Sequence, residues 1–179
     1  MTSSVTVPAV YVGTYHQYNG GSIFGKWFDL TDFDDEDEFY DACRALHAAE
    51  DDPEFMFRLE GIPSQFASES SVKWAFIEAF RQAQDEGRAA AFVAWADYTG
   101  ECDYDAFDEA YCGEAESEAD FFGFVEDHGL LNEVPESLRV YFDYEAYARD
   151  LFSSGYVFHE GYVFSNDTIR REARRGERT

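Results

Sequence analysis

The sequence predicts an α+β protein: a chain of three small domains with mixed short antiparallel sheets and helices and a helical middle segment. Three observations carry that expectation. β-branched and aromatic runs bounded by glycine turns occur near residues 7–30 and 156–164. Between them, residues 70–98 carry apolar residues at helical spacing. With 45% hydrophobic and 18% aromatic residues, the 179-residue chain can bury a core despite its acidity.

The first domain is expected over residues 1–62. Val7–Thr14 (VPAVYVGT) and Ser22–Leu30 (SIFGKWFDL) read as strands, forming a hairpin or neighbouring strands across Asn19-Gly20-Gly21. Asp34-Asp35-Glu36-Asp37-Glu38 loads acids onto a helix start, where the dipole favours them, and Phe39, Cys43 and Leu46 follow on one face. Phe55–Leu59 is a third strand, ended by Gly61-Ile62-Pro63.

Residues 63–100 form the helical middle domain. Val72, Ala75, Phe76, Ala79, Phe80 and Ala83 make an apolar helix face, Gly87 stops it, and a second helix covers Ala89–Tyr98. The third domain is expected over 101–168. Tyr104–Tyr111 reads as a helix, Ser117–His128 as another opened by the N-cap pattern Ser117-x-x-Asp120, and Pro135 starts a third. Tyr144, Tyr147, Ala148 and Leu151 share one apolar helix face before Ser153-Ser154-Gly155 ends it. Tyr156–His159 and Tyr162–Phe164 then close a hairpin around Glu160-Gly161. Residues 169–179, with five arginines, form a basic tail expected to be disordered.

Charge narrows the function more than fold does. The chain has 38 Asp and Glu against 13 Lys and Arg, a net of −25. This excludes a polyanion-binding protein of the usual basic kind. No Lys or Arg lies between Arg88 and Arg139, whereas acids recur throughout that stretch. The candidate acidic surface is Asp97, Glu101, Asp103, Asp105, Asp108, Glu109, Glu114, Glu116, Glu118, Asp120, Glu126 and Asp127. A one-sign surface repels itself and destabilises the compact state, so a basic partner recognised electrostatically would explain it. Solubility and halophilic adaptation are the competing explanations: only Lys26 and Lys73 are lysines, while the heavy aromatic content argues against a halophile.

Catalytic and metal signals are weak. Gly20 to Lys26 fits G-x-x-x-x-G-K, but Trp27 stands where a phosphate loop needs Ser or Thr, and Trp27-Phe28-Asp29-Leu30 continues as a strand. Asp103-x-Asp105-x-x-Asp108 lacks the glycine and terminal Glu of a calcium loop. His16, His47, His128 and His159 have no metal-ligand spacing, and Cys43, Cys102 and Cys112 form no C-x-x-C pair. With so many acids, a pair of carboxylates at glycosidase spacing discriminates nothing. No enzyme, cofactor or metal is expected. Met1-Thr2-Ser3-Ser4-Val5 has no basic or apolar signal character and no run approaches about 18 apolar residues, so a cytoplasmic location is expected, with no membrane contact.

Leaving the tail aside, roughly 28 net negative charges would match, at one per about 1.7 Å of axis, on the order of 48 Å of duplex DNA if spread along a rod. The residues themselves carry a more specific signal. Tyr11-Val12-Gly13-Thr14-Tyr15, the run Tyr18-Asn19-Gly20-Gly21-Ser22-Ile23-Phe24-Gly25-Lys26-Trp27-Phe28-Asp29-Leu30, and Leu130-Leu131-Asn132-Glu133-Val134-Pro135-Glu136 leading into Tyr141–Leu151 closely resemble the ArdA antirestriction proteins. The similarity covers about residues 7–168. It implies a DNA mimic, carried by mobile genetic elements, that occupies the DNA-binding groove of type I restriction–modification enzymes at their methyltransferase core.

It also implies an elongated homodimer of three-domain chains joined through the C-terminal part, with no direct binding of nucleic acid. Within the block matching the family's antirestriction motif, Leu130, Leu131, Glu133, Pro135, Tyr141, Asp143, Tyr144, Glu145, Tyr147, Arg149, Asp150 and Leu151 are then expected near the dimer interface. Core packing is the alternative for Tyr144, Tyr147 and Leu151. The basic tail lies outside the family pattern. A rival of another class is an acidic module that sequesters a different basic DNA-binding protein.

Overall fold

In the computed structural model, strand β1 (Ala9–Thr14) organises the first sheet. Val10 and Val12 alternate onto one face and are fully buried there. The structure describes residues 5–117, 120, 134–143, 146–147, 149–150 and 155–165. Strands β2 (Lys26–Asp29) and β3 (Phe55–Glu60) pair antiparallel on either side of β1, in the order β2-β1-β3. The register sets Val10 opposite Phe28 and Leu59, and Val12 opposite Phe57.

The two N-terminal strands are neighbours, but a tight hairpin does not join them. Helix α1 (Tyr15–Asn19) intervenes because Thr14 ends the strand as an N-cap, its Oγ1 accepting the Gln17 amide at 3.2 Å. Gly20 and Gly21 then end the helix, Gly21 at φ +79°, and the Ser22 amide returns to the Gln17 carbonyl at 2.8 Å. Consequently Ser22–Gly25 are not strand, and β2 starts only at Lys26.

Helix α2 (Glu36–Leu46) covers the valine face of the sheet. Asp35 caps it by accepting the Glu38 amide at 2.8 Å, while the Glu38 carboxylate accepts the Asp34 amide at 2.7 Å, a reciprocal pair of the capping-box kind. Phe39 and Cys43 are fully buried, Leu46 is half-buried, and His47 completes the buried face. Phe39 sits among the rings of Phe33, Phe57 and Trp74, with centroids 5.5–5.8 Å away. Each such aromatic pair adds about 0.5–1.5 kcal/mol beyond area burial.

Helices α3 (Trp74–Asp85) and α4 (Ala89–Thr99) supply the helical segment. Phe76, Ala79, Phe80 and Ala83 are buried as expected, but Ala75 is exposed and Trp74 and Ile77 take its place. The helix begins at Trp74, so Val72 is buried through a bridge to Ala67, not through the helical repeat. Gly87 at φ +74° and Gly100 at φ +75° end the two helices in the left-handed region.

The chain divides into two compact units, one up to Tyr104 and one from Asp105 onward. Helix α5 (Tyr104–Ala110) stops one residue earlier than expected, because Tyr111 enters strand β4 (Tyr111–Glu114) and pairs with Phe164. Strands β5 (Tyr156–His159) and β6 (Tyr162–Ser165) form the expected hairpin, giving a second sheet in the order β4-β6-β5. Val163 is its buried centre, with Cys112, Val134, Phe142, Tyr147 and Phe158 against it. Pro135 precedes the short helix α6 (Glu136–Arg139), as its missing amide proton allows. Both sheets are antiparallel and are interspersed with helices along the chain, so the fold is α+β as the sequence predicts.

Candidate acidic interaction surface

Carboxylates resist burial unless paired, and helices that bury one face must turn the other outward. Around α5 these two rules coincide. From Glu101 to Asp105 the chain alternates exposed Glu101, Asp103 and Asp105 with buried Cys102 and Tyr104. Within the helix, Tyr104, Phe107 and Ala110 are buried three residues apart, so Asp105, Asp108 and Glu109 are exposed. Asp105 also lies in the first turn, where negative charge favours the helix dipole.

Ahead of α5, Thr99 holds the turn by donating its hydroxyl to the Trp95 carbonyl at 2.8 Å and accepting the Glu101 amide at 3.2 Å. Asp97 is exposed on the last turn of α4, and Glu114, Glu116 and Asp120 are exposed beyond α5. The Asp120 amide donates to Ser117 Oγ at 3.3 Å, the N-cap contact the sequence predicts. Glu118, Glu126 and Asp127 lie outside the described residues, as does the helix expected to follow Ser117.

The outward display extends further than the sequence-derived set. Every described carboxylate is exposed except Asp29 and Glu50, which are half-buried. Asp32, the run Asp34–Glu38, and Asp41 present a second group of acids that sequence reasoning treated only as a helix start. Five successive acids were a sufficient signal. The half-buried pair have local tasks: Asp29 accepts the Thr31 amide at 2.9 Å, and Glu50 accepts the Thr14 hydroxyl at 2.8 Å. Arg44 pairs with Asp41 one helical turn away at 2.7 Å, whereas Arg81 on α3 reaches Asp34, far off in sequence, at 3.6 Å.

The C-terminal block divides by environment. Pro135, Tyr141, Asp143, Arg149 and Asp150 are exposed, Tyr141 by 85%. Tyr147 is half-buried against the Val163 core and meets Phe142 edge-on at 5.1 Å. Asp143 accepts the Ala146 amide at 3.0 Å, capping the turn that carries Tyr147. Leu130, Leu131, Glu133, Tyr144, Glu145 and Leu151 lie outside the described residues.

Residues considered for other chemistry take structural places. Lys26 and Trp27 lie on β2, so Gly20–Lys26 opens no helix. Asp105 and Asp108 are helical, a geometry unlike a calcium loop. His47 is buried with Nε2 3.3 Å from the Val12 carbonyl and Nδ1 4.0 Å from Glu50. Cys43 and Cys102 are buried free thiols, and burial pushes Cys43 up to about 12. Sequence reasoning also missed a polar cluster at the α3–α4 turn: the Tyr104 hydroxyl donates to Glu86 and accepts from Arg88, which pairs with Glu86 as well.

Together these features define an acidic α+β protein that turns its carboxylates outward. The model of the family described as antirestriction protein (ArdA) matches residues 10–164, and the chain belongs to that family. Membership makes it an antirestriction protein, of an inhibitor family directed against type I restriction–modification enzymes. No curated protein matches the chain. Among the described residues, no helix is long and apolar enough to cross a membrane.

Proposed function

We propose that the chain inhibits by DNA mimicry, its Asp and Glu carboxylates standing in for phosphates in the DNA-binding groove of a type I restriction–modification enzyme, at the methyltransferase core. The observation that carries this reading is the near-complete outward display of the described carboxylates. Duplex DNA binds such grooves chiefly through its charge, so a folded surface of the same sign can compete for the same Lys and Arg side chains. Binding is distributed, and no single carboxylate dominates.

In this reading the protein is a homodimer in the cytoplasm, binding no nucleic acid itself, with the acids from Asp97 to Asp127 in the mimic surface. The second copy joins through the C-terminal block, where Leu138, Val140 and Tyr141 are exposed apolar residues. The test is a titration of the purified protein into a type I methyltransferase holding labelled duplex DNA, at low and moderate salt. Stoichiometric, salt-sensitive displacement is expected. Failure to displace DNA from several such enzymes, with the protein shown to be folded, would favour sequestration of another basic DNA-binding protein.

A further inference from the structure

The outer face of the first sheet, opposite Val10 and Val12, carries a pocket that charge mimicry does not use. There Tyr11 stands between Trp27 on β2 and Arg58 on β3 in adjacent strand positions, with the Tyr11 and Trp27 rings 5.7 Å apart edge to face. The segment after α1 folds over this row, and the Tyr11 hydroxyl donates to the Ile23 carbonyl. Gly25 permits the close approach, since a Cβ there would lie 2.5 Å from the Val12 carbonyl oxygen and 2.8 Å from the Tyr11 ring. The result is a cavity of about 260 Å³ bordered by Tyr11, Tyr18, Ile23, Phe24, Trp27 and Arg58. Ile23 is 88% exposed, Tyr18 61% and Trp27 45%.

Such a cluster is costly to leave in water and has the Tyr, Trp and Arg composition of an interface hot spot. Its charge identifies the occupant. The Arg58 side chain makes no ion pair or hydrogen bond among the described residues, in a chain whose net charge is −25. An unpaired guanidinium beside apolar rings complements an apolar side chain next to a carboxylate. A nucleic acid would have to approach against like charge.

We propose that this pocket receives an apolar side chain, flanked by a carboxylate, on the restriction–modification enzyme. This rests on the mimicry reading and extends it. Carboxylates alone copy the attraction that DNA already has, without its density of condensed counterions. A pocket supplies a contact that the duplex lacks, and burying apolar surface is little affected by the salt that screens charges.

Two variants of the full chain, Ile23→Asp and Trp27→Ala, test this by equilibrium binding to a type I methyltransferase at low and moderate salt. Ile23→Asp is the sharper one. It adds a negative charge at a site open to water, so charge attraction alone predicts equal or tighter binding. The pocket predicts affinity lower by about tenfold or more for both variants, with the slope of log Kd against log salt unchanged for Trp27→Ala, which alters no charge. Variants that bind like the unaltered protein would overturn the pocket while leaving mimicry in place, whereas failure of the unaltered protein to bind would overturn mimicry itself. A change in sedimentation of the free Ile23→Asp protein would assign the face to contact between copies and overturn the proposal.

Discussion

Tyr104 shows how one side chain ties local structure together in this acidic chain. Its hydroxyl lies between the Glu86 carboxylate and the Arg88 guanidinium, and the guanidinium also lies 5.6 Å from its ring. Tyr104→Phe keeps the ring and removes both hydroxyl contacts, so a loss of about 1 kcal/mol is expected in denaturant unfolding. The hydrogen bond from Tyr104, followed by that from Arg88, holds Glu86 below the usual carboxylate range. Burial, with Glu86 next, pushes Tyr104 upward. A carboxylate with a lowered folded pKa stabilises above its unfolded pKa of about 4.3 and loses that contribution as pH falls through the folded value. The Tm gap between the protein and Glu86→Gln should therefore be constant near neutrality and narrow below about pH 4.3. A gap unchanged from pH 7 to 3 would contradict the assignment.

Among the elements, the β5–β6 turn places charge above local comfort. Glu160 sits at φ +50° and Gly161 at φ +88°, a two-residue turn of the kind that favours Asn-Gly. The strain at Glu160 is on the order of 1 kcal/mol, and its carboxylate is exposed. Glu160→Asn should raise stability by about 0.5–1 kcal/mol in thermal unfolding; a drop would mean that the Glu160 side chain contributes more than its backbone costs. This hairpin was legible in the sequence, as were β1, β3 and α2, because alternation, glycine turns and N-caps are local signals. Helix α1 was not, since Tyr15–Asn19 is too short for a hydrophobic period and depends on the Thr14 cap. Strand β4 was missed because Tyr111 and its neighbours find their partner in β6, far along the chain. In α3, Ala75 was misplaced because the apolar repeat was counted from Val72, ahead of the helix start at Trp74. The exposure of the acids was legible because carboxylates seldom bury. The pocket was not, because only the antiparallel register sets Tyr11 beside both Trp27 and Arg58.

Across the molecule, aromatic cores hold a scaffold on which the charge is distributed. Phe39 with its ring neighbours, and Phe66 stacked on Phe76 at 4.9 Å, bury apolar area that offsets the repulsion among the surface acids. If the carboxylates act as phosphates, each contributes a small, additive share of the attraction and of its salt dependence. The most direct measurement is therefore Kd for a type I methyltransferase against salt, for variants in which one, four and eight of the exposed acids from Asp97 to Asp120 and Asp34 to Asp41 are changed to amides. The account predicts an effect within about threefold for any single change, with affinity and salt slope falling together as changes accumulate. Loss of most binding from one acid-to-amide change in a folded protein, or a salt slope indifferent to eight of them, would contradict it.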